Sequence, residues 1–215
     1  MRRIIRQYCV FLVGLFIASM GVAFSTKAGL GTSPVASVPF SVSLVSDALS
    51  FGWWLNIWSL MQIAVQVAVL RGRCNYLEIG VQTVLALVYG YLTDFSCSLL
   101  SGIHPESYPA QFALMLLGCV ILALGIFIQY QGGVAMLPGE AMNRAISQVS
   151  GRKYENVKVA FDVLYIVISV MICLIFVGRL EGVREGSVIA ALLIGNIIRC
   201  FRWLYGKLFG KQQAG

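Results

Sequence analysis

The chain carries an approximate copy of its own punctuation. Gly14, Gly21, Gly29 and Pro34 recur as Gly118, Gly125, Gly133 and Pro138, each 104 residues later. The pair Gly72-Arg73 recurs as Gly178-Arg179 at a shift of 106. The run Ala86-Leu87-Val88-Tyr89-Gly90 meets Ala191-Leu192-Leu193-Ile194-Gly195 at a shift of 105. A register that drifts so little marks a duplicated unit. Whatever the first half folds into, the second half has to repeat.

Composition sets the medium for that fold. With 59% hydrophobic residues, 12% charged residues and a mean hydropathy of +0.83, the 215-residue chain is too apolar for an ordinary soluble domain. A bilayer admits only helices and closed barrels, because each backbone polar group must find a partner inside the protein. Apolar runs of about twenty residues select the helix. Six such runs occur, Tyr8–Thr26, Gly52–Leu70, Leu77–Leu100, Ala110–Gln129, Val157–Val177 and Gly186–Leu204. The first follows Arg2, Arg3 and Arg6 like a secretory signal, but with equally apolar runs after it we read it as a retained span.

Two further segments, 33–49 and 138–150, are too short to cross. Each begins with a proline at a favourable first-turn position, after the glycine-bearing loops Ala28-Gly29-Leu30-Gly31-Thr32-Ser33-Pro34 and Gly132-Gly133-Val134-Ala135-Met136-Leu137-Pro138. They read as re-entrant half-helices. With both termini cytoplasmic, this division leaves only Lys27, Arg179 and Arg184 of the sixteen Lys and Arg outside. Letting the short segments cross would move Arg71 and Arg73 outside, against the positive-inside rule.

Three spans per repeat is an odd number, so the second copy enters the membrane from the opposite face. The expected fold is an all-α integral membrane protein of two inverted three-span repeats, residues 1–100 and 110–215, each with a half-helix, joined by a loop at 101–109. Inverted repeats with broken helices at matching positions point to a midplane site and alternating access.

Several chemistries lack the residues they need. The six cysteines, at 9, 74, 97, 119, 173 and 200, include no C-x-x-C pair and mostly lie inside apolar runs, so no metal or disulfide framework is expected. His104 is the only histidine and sits in the loop between the repeats, which leaves no His-based triad. The net charge of +7 comes from residues at the ends of apolar runs, not from a nucleic-acid stripe. No cofactor and no enzymatic activity are expected. The partners are the lipid bilayer and a small solute, with a homodimer left open. Trp53, Trp54 and Trp58 fit an aromatic belt at the outer end of the second span.

The candidate site follows from the half-helix starts. First-turn amides lack intrahelical partners and carry about half a positive charge between them. If Pro34 and Pro138 begin helices near the midplane, their free donors form an anion cradle. The expected substrate-binding residues are therefore Gly29, Gly31, Thr32, Ser33 and Pro34 from the first repeat, with Gly132, Gly133, Pro138, Gly139 and Asn143 from the second. Glu140 would oppose an anion unless protonated or paired with a cation, which makes it a candidate coupling residue or a cap of its own helix. Asn56 and Asp162, matched at a shift of 106, are polar groups expected to face the bundle interior.

The glycine-proline loop at 28–34, the stretch Lys158-Val159-Ala160-Phe161-Asp162, and Gly178-Arg179-Leu180-Glu181-Gly182-Val183 with Gly186-Ser187 together resemble the YczE/YyaS/YitT-type bacterial integral membrane proteins. The resemblance runs from about Gly14 to Phe201. It implies a bacterial inner-membrane protein of a group to which transport is commonly ascribed, and it supplies no substrate. Met136-Leu137 stands where that pattern has a more polar approach. The leading expectation is a small secondary carrier or channel for a small anion or carboxylate-bearing metabolite. The alternatives are a substrate-binding subunit of an energy-coupled importer and a non-enzymatic membrane scaffold or assembly factor.

Overall fold

The computed structural model describes residues 2–71, 75–134, 136–179 and 182–209. Gly72, Arg73, Cys74, Ala135, Leu180, Glu181 and Lys211, which entered the sequence reading, lie outside them. The described residues form eight α-helices: α1 (Arg2–Lys27), α2 (Pro34–Val45), α3 (Phe51–Leu70), α4 (Tyr76–Leu99), α5 (Tyr108–Gly132), α6 (Pro138–Ser150), α7 (Tyr154–Ile172) and α8 (Glu185–Phe209). A π-helical turn, Cys173–Val177, extends α7 and ends at the left-handed Gly178. The one extended pairing among them is an isolated antiparallel bridge between Gly31 and Val183.

At 1.5 Å per residue, α2 and α6 are about 18–20 Å long, well short of a hydrocarbon core of about 30 Å. Both have proline in the first turn, as the sequence predicts. The first half-helix is shorter than expected, ending at Val45 instead of Leu49. Five helices are long and apolar enough to cross a membrane: α1, α3, α5, α7 with its π turn, and α8. The sequence reading counts six. The sixth, α4, has 24 residues but also Glu78, Gln82, Asp94 and a polar last turn. Gln82, Thr93 and Ser96 are fully buried, so these polar groups face protein.

The molecule is built on α1 and α5. Small residues let the two backbones approach closely. A Cβ on Gly14 would lie 2.7 Å from the Gln129 amide nitrogen, and one on Gly118 would lie 2.5 Å from Ser25 Oγ. A Cβ on Gly21 would collide with Leu122, and one on Gly125 with Ala18. Because partners on α5 fall as residue numbers on α1 rise, the helices are antiparallel. The contacts also come in exchanged pairs. Moving each member of Gly14–Gln129 by 104 residues gives Gly118–Ser25, and the same operation on Gly21–Leu122 gives Gly125–Ala18.

The remaining helices are arranged around this axis. On one side α4 lies on α1, where Ser19 and Ser96 share a 3.0 Å hydroxyl hydrogen bond and Leu85 packs with Phe11 and Leu15. On the other α8 lies on α5, with Phe127 against Phe201 and Tyr205. The short α2 runs beside α7, where Ser169 Oγ donates to the Ser37 carbonyl at 3.0 Å and Cys173 Sγ donates to Ser41 Oγ at 3.3 Å. The short α6 runs beside α3, with Gly139 against Gln62. Trp58 turns into this interior and stacks edge-on against Tyr165 with centroids 5.5 Å apart, while Trp53 is exposed. Only part of the expected belt therefore faces outward.

Candidate functional site

The starts of α2 and α6 meet. A Cβ on Gly139 would sit 3.5 Å from Val35 Cγ1, and these residues occupy matching positions in the repeats. Pro34 and Pro138 have no N–H to offer. The amides of Ala36 and Glu140 turn back to the carbonyls of Ser33 and Leu137. The Val35 and Gly139 N–H groups have no partner among the described residues, and neither helix has a side-chain cap. Two uncapped, electropositive helix ends therefore lie side by side.

They open onto one cavity of about 190 Å³. This is below the ~300 Å³ at which sites for drug-sized ligands begin, so it suits a small solute. Ser33 to Ala36 of α2 and Leu137, Gly139, Glu140 and Asn143 of α6 form one part of the wall. Lys158 and Asp162 of α7 form the polar flank, and Ala190, Ile194, Gly195 and Ile198 of α8 form an apolar one. Leu55, Leu122 and Ile126 complete the apolar side.

The polar groups are only partly satisfied. Tyr130 Oη donates to Glu140 Oε1 at 2.7 Å. Lys158 Nζ pairs with Asp162 Oδ2 at 3.3 Å across one helical turn. Asp162 Oδ1 and Asn143 Oδ1 are buried without a partner. Asn143 itself is 2% exposed, so its oxygen is shielded from bulk solvent. The wall carries two carboxyl groups, Glu140 and Asp162, and one amine, Lys158.

Of the residues expected from sequence, Ser33, Pro34, Gly139, Glu140, Asn143 and Asp162 line this cavity. The others lie elsewhere. Gly29 and Gly133 supply left-handed turns, with φ of 69° and 61° and open space beside them. Gly31 carries the bridge to Val183, and a Cβ there would strike Ser187 Oγ. Gly132 packs under Gln7 and Phe11. Pro138 is buried at the α6 start beside the cavity wall. Thr32 is fully buried with its hydroxyl unpartnered, and Asn56 is buried against Gly90.

Tyr130 and Val35 were not among the residues expected from sequence, and Lys158 was counted with the cations toward the cytoplasm. The spacing of Lys158 and Asp162 is a helical ion-pair signal that was available. Tyr130 had none, since its contact with Glu140 depends on the turn between α5 and α6. A second, polar cavity of about 260 Å³ lies further along α6, lined by Gln66, Glu78, Arg144 and Gln148 among others. Arg144 Nη1 donates there to Met136 Sδ at 3.7 Å.

Comparison with known proteins adds family and not chemistry. The chain is 23% identical over 201 residues to the uncharacterized protein YyaS of Bacillus subtilis strain 168, covering 91% of this chain and 92% of that one. No solved structure matches it. Residues 5–203 match the model of a family of unknown function, DUF6198. The chain, a helical protein with several helices fit to span a membrane, is thus a member of the DUF6198 family.

Proposed function

We propose that the protein is a small secondary transporter of the bacterial cytoplasmic membrane, built from two inverted repeats whose half-helices are re-entrant. One observation carries this reading. The matched residues Val35 and Gly139 bring two uncapped helix starts together on one cavity. The antiparallel α1–α5 pair, with contacts that exchange under the repeat shift, supports the inversion. The lysines and arginines orient both termini toward the cytoplasm. A carboxylate of the solute takes the free N–H groups of Val35 and Gly139. Glu140 and Asp162 are the coupling candidates, and Asn56 stays with the packing of α3 on α4.

Access alternates as the repeats rock. The α3–α4 seam is packed, while α7 and α8 stand apart beside the cavity. Transport exchanges these conditions, and no covalent chemistry is involved. A scaffold would require no polar hollow at its centre, and the cavity favours transport over that alternative. Uptake of small labelled carboxylates into proteoliposomes tests the proposal. Gly195→Leu extends into the cavity from a position where a Cβ meets nothing within 4 Å, and is expected to lower uptake at least tenfold while the protein keeps its unfolding temperature. Unchanged uptake with this variant, or none of any carboxylate by the unmodified protein, contradicts it.

A further inference from the structure

The cavity offers more than a place for a carboxylate. Two buried side-chain oxygens of its lining residues, Asn143 Oδ1 and Asp162 Oδ1, are acceptors without a partner. Asn143 lies one turn beyond Gly139 on the same face of α6, so a buried acceptor stands beside a free backbone donor. Asp162 spends one oxygen on Lys158 and leaves the other bare. Buried acceptors without donors are rare in folded proteins, and they mark the place of a missing N–H or O–H.

The charges agree. With Glu140 and Asp162 ionised and Lys158 protonated, the side chains carry one net negative charge, and each of the two helix starts contributes about half a positive charge, which brings the cavity close to neutral. A lone anion or a lone cation would leave one buried charge without compensation. A ligand carrying both charges would not.

We propose that the substrate is a small zwitterion of the amino-acid type. Its carboxylate lies on the Val35 and Gly139 amides, its ammonium on Asn143 and Asp162, and an apolar side chain lies toward Leu122, Ile126 and Ile194. This assignment rests on the transport reading and narrows its substrate class.

The test uses the full chain in nanodiscs and proteoliposomes. L-alanine, L-leucine and L-phenylalanine are each compared with the acid lacking the amine and the amine lacking the carboxylate. At least one amino acid is expected to bind and be taken up, with both of its analogues at least 100-fold weaker. Asp162→Asn is expected to weaken binding of that amino acid at least tenfold and to lower its preference over the amine-free acid by at least the same factor, a split that general unfolding would not produce. Asn143→Ala, which removes the buried acceptor without adding a charge, is expected to weaken the amino acid at least tenfold. If an amine-free acid binds and is transported as well as its amino acid, the zwitterion assignment is overturned and the transport reading stands. If no compound of the panel binds or is taken up, both are overturned.

Discussion

Two helix seams at matching places in the repeats differ sharply. In the first, Gly52 of α3 meets Gly90 of α4 so closely that a Cβ on Gly90 would lie 2.5 Å from the Gly52 carbonyl oxygen. Asp94 reaches across this seam, accepting from the Gly52 amide at 2.7 Å and from the Ser50 hydroxyl, and so ties α4 to the start of α3. In the second, Lys158 stands where Gly52 did, Gly195 where Gly90 did, and Arg199 where Asp94 did. A Cβ on Gly195 would meet nothing within 4 Å, and α7 and α8 have no comparable packing.

The same backbone plan thus yields a closed seam where glycine and a capping carboxylate face each other. It yields an open one where two long cations replace them. Close helix packing in a membrane depends on small residues and satisfied polar groups, and the second repeat keeps Gly195 but has lost the facing glycine and the capping carboxylate. Lys158 and Gly195 both line the cavity, so the difference shapes its wall as well as the packing.

The largest expected effect breaks the comparison at its glycines. Gly90→Leu forces side-chain atoms into the α3 backbone and Asn56, and should lower stability by about 3 kcal/mol. Gly195→Leu enters open space, should stay within about 0.5 kcal/mol of the parent, and should instead obstruct uptake. Unfolding temperature in detergent separates the two, and equal losses would show that the seams are packed alike. A smaller effect is expected at the caps. Asp94→Ala removes the carboxylate from the α3 start and should cost about 1 kcal/mol, while Arg199→Ala should change stability by less than about 0.5 kcal/mol.

Much of the fold was readable in the residues, and the reason is physical. First-turn prolines placed α2 and the polar α6, and apolar runs placed the long helices, within a few residues, because a bilayer leaves few other options. The site was less readable. Gly29, Gly31 and Gly133 were expected at the ligand, but their work is to turn the chain, and lining falls to the residues just after them. Glycine marks a backbone requirement without saying what lies beside it. The shortfall of α4 follows from polar residues that tertiary packing buries, which a run of hydropathy cannot anticipate. The open α7–α8 seam had a signal in the substitution of Lys158 for Gly52 and Arg199 for Asp94, visible only once the repeats are aligned.

The central claim, that half-helices from the two repeats meet start to start, is tested most directly by Val35→Cys with Gly139→Cys in a background lacking the six native cysteines. The closeness of Gly139 to Val35 Cγ1 puts the pair within disulfide reach. The account predicts rapid intramolecular cross-linking under mild oxidation, loss of uptake when the bridge forms, and recovery on reduction. A folded variant that forms no bridge, or one whose bridge leaves uptake intact, would contradict it.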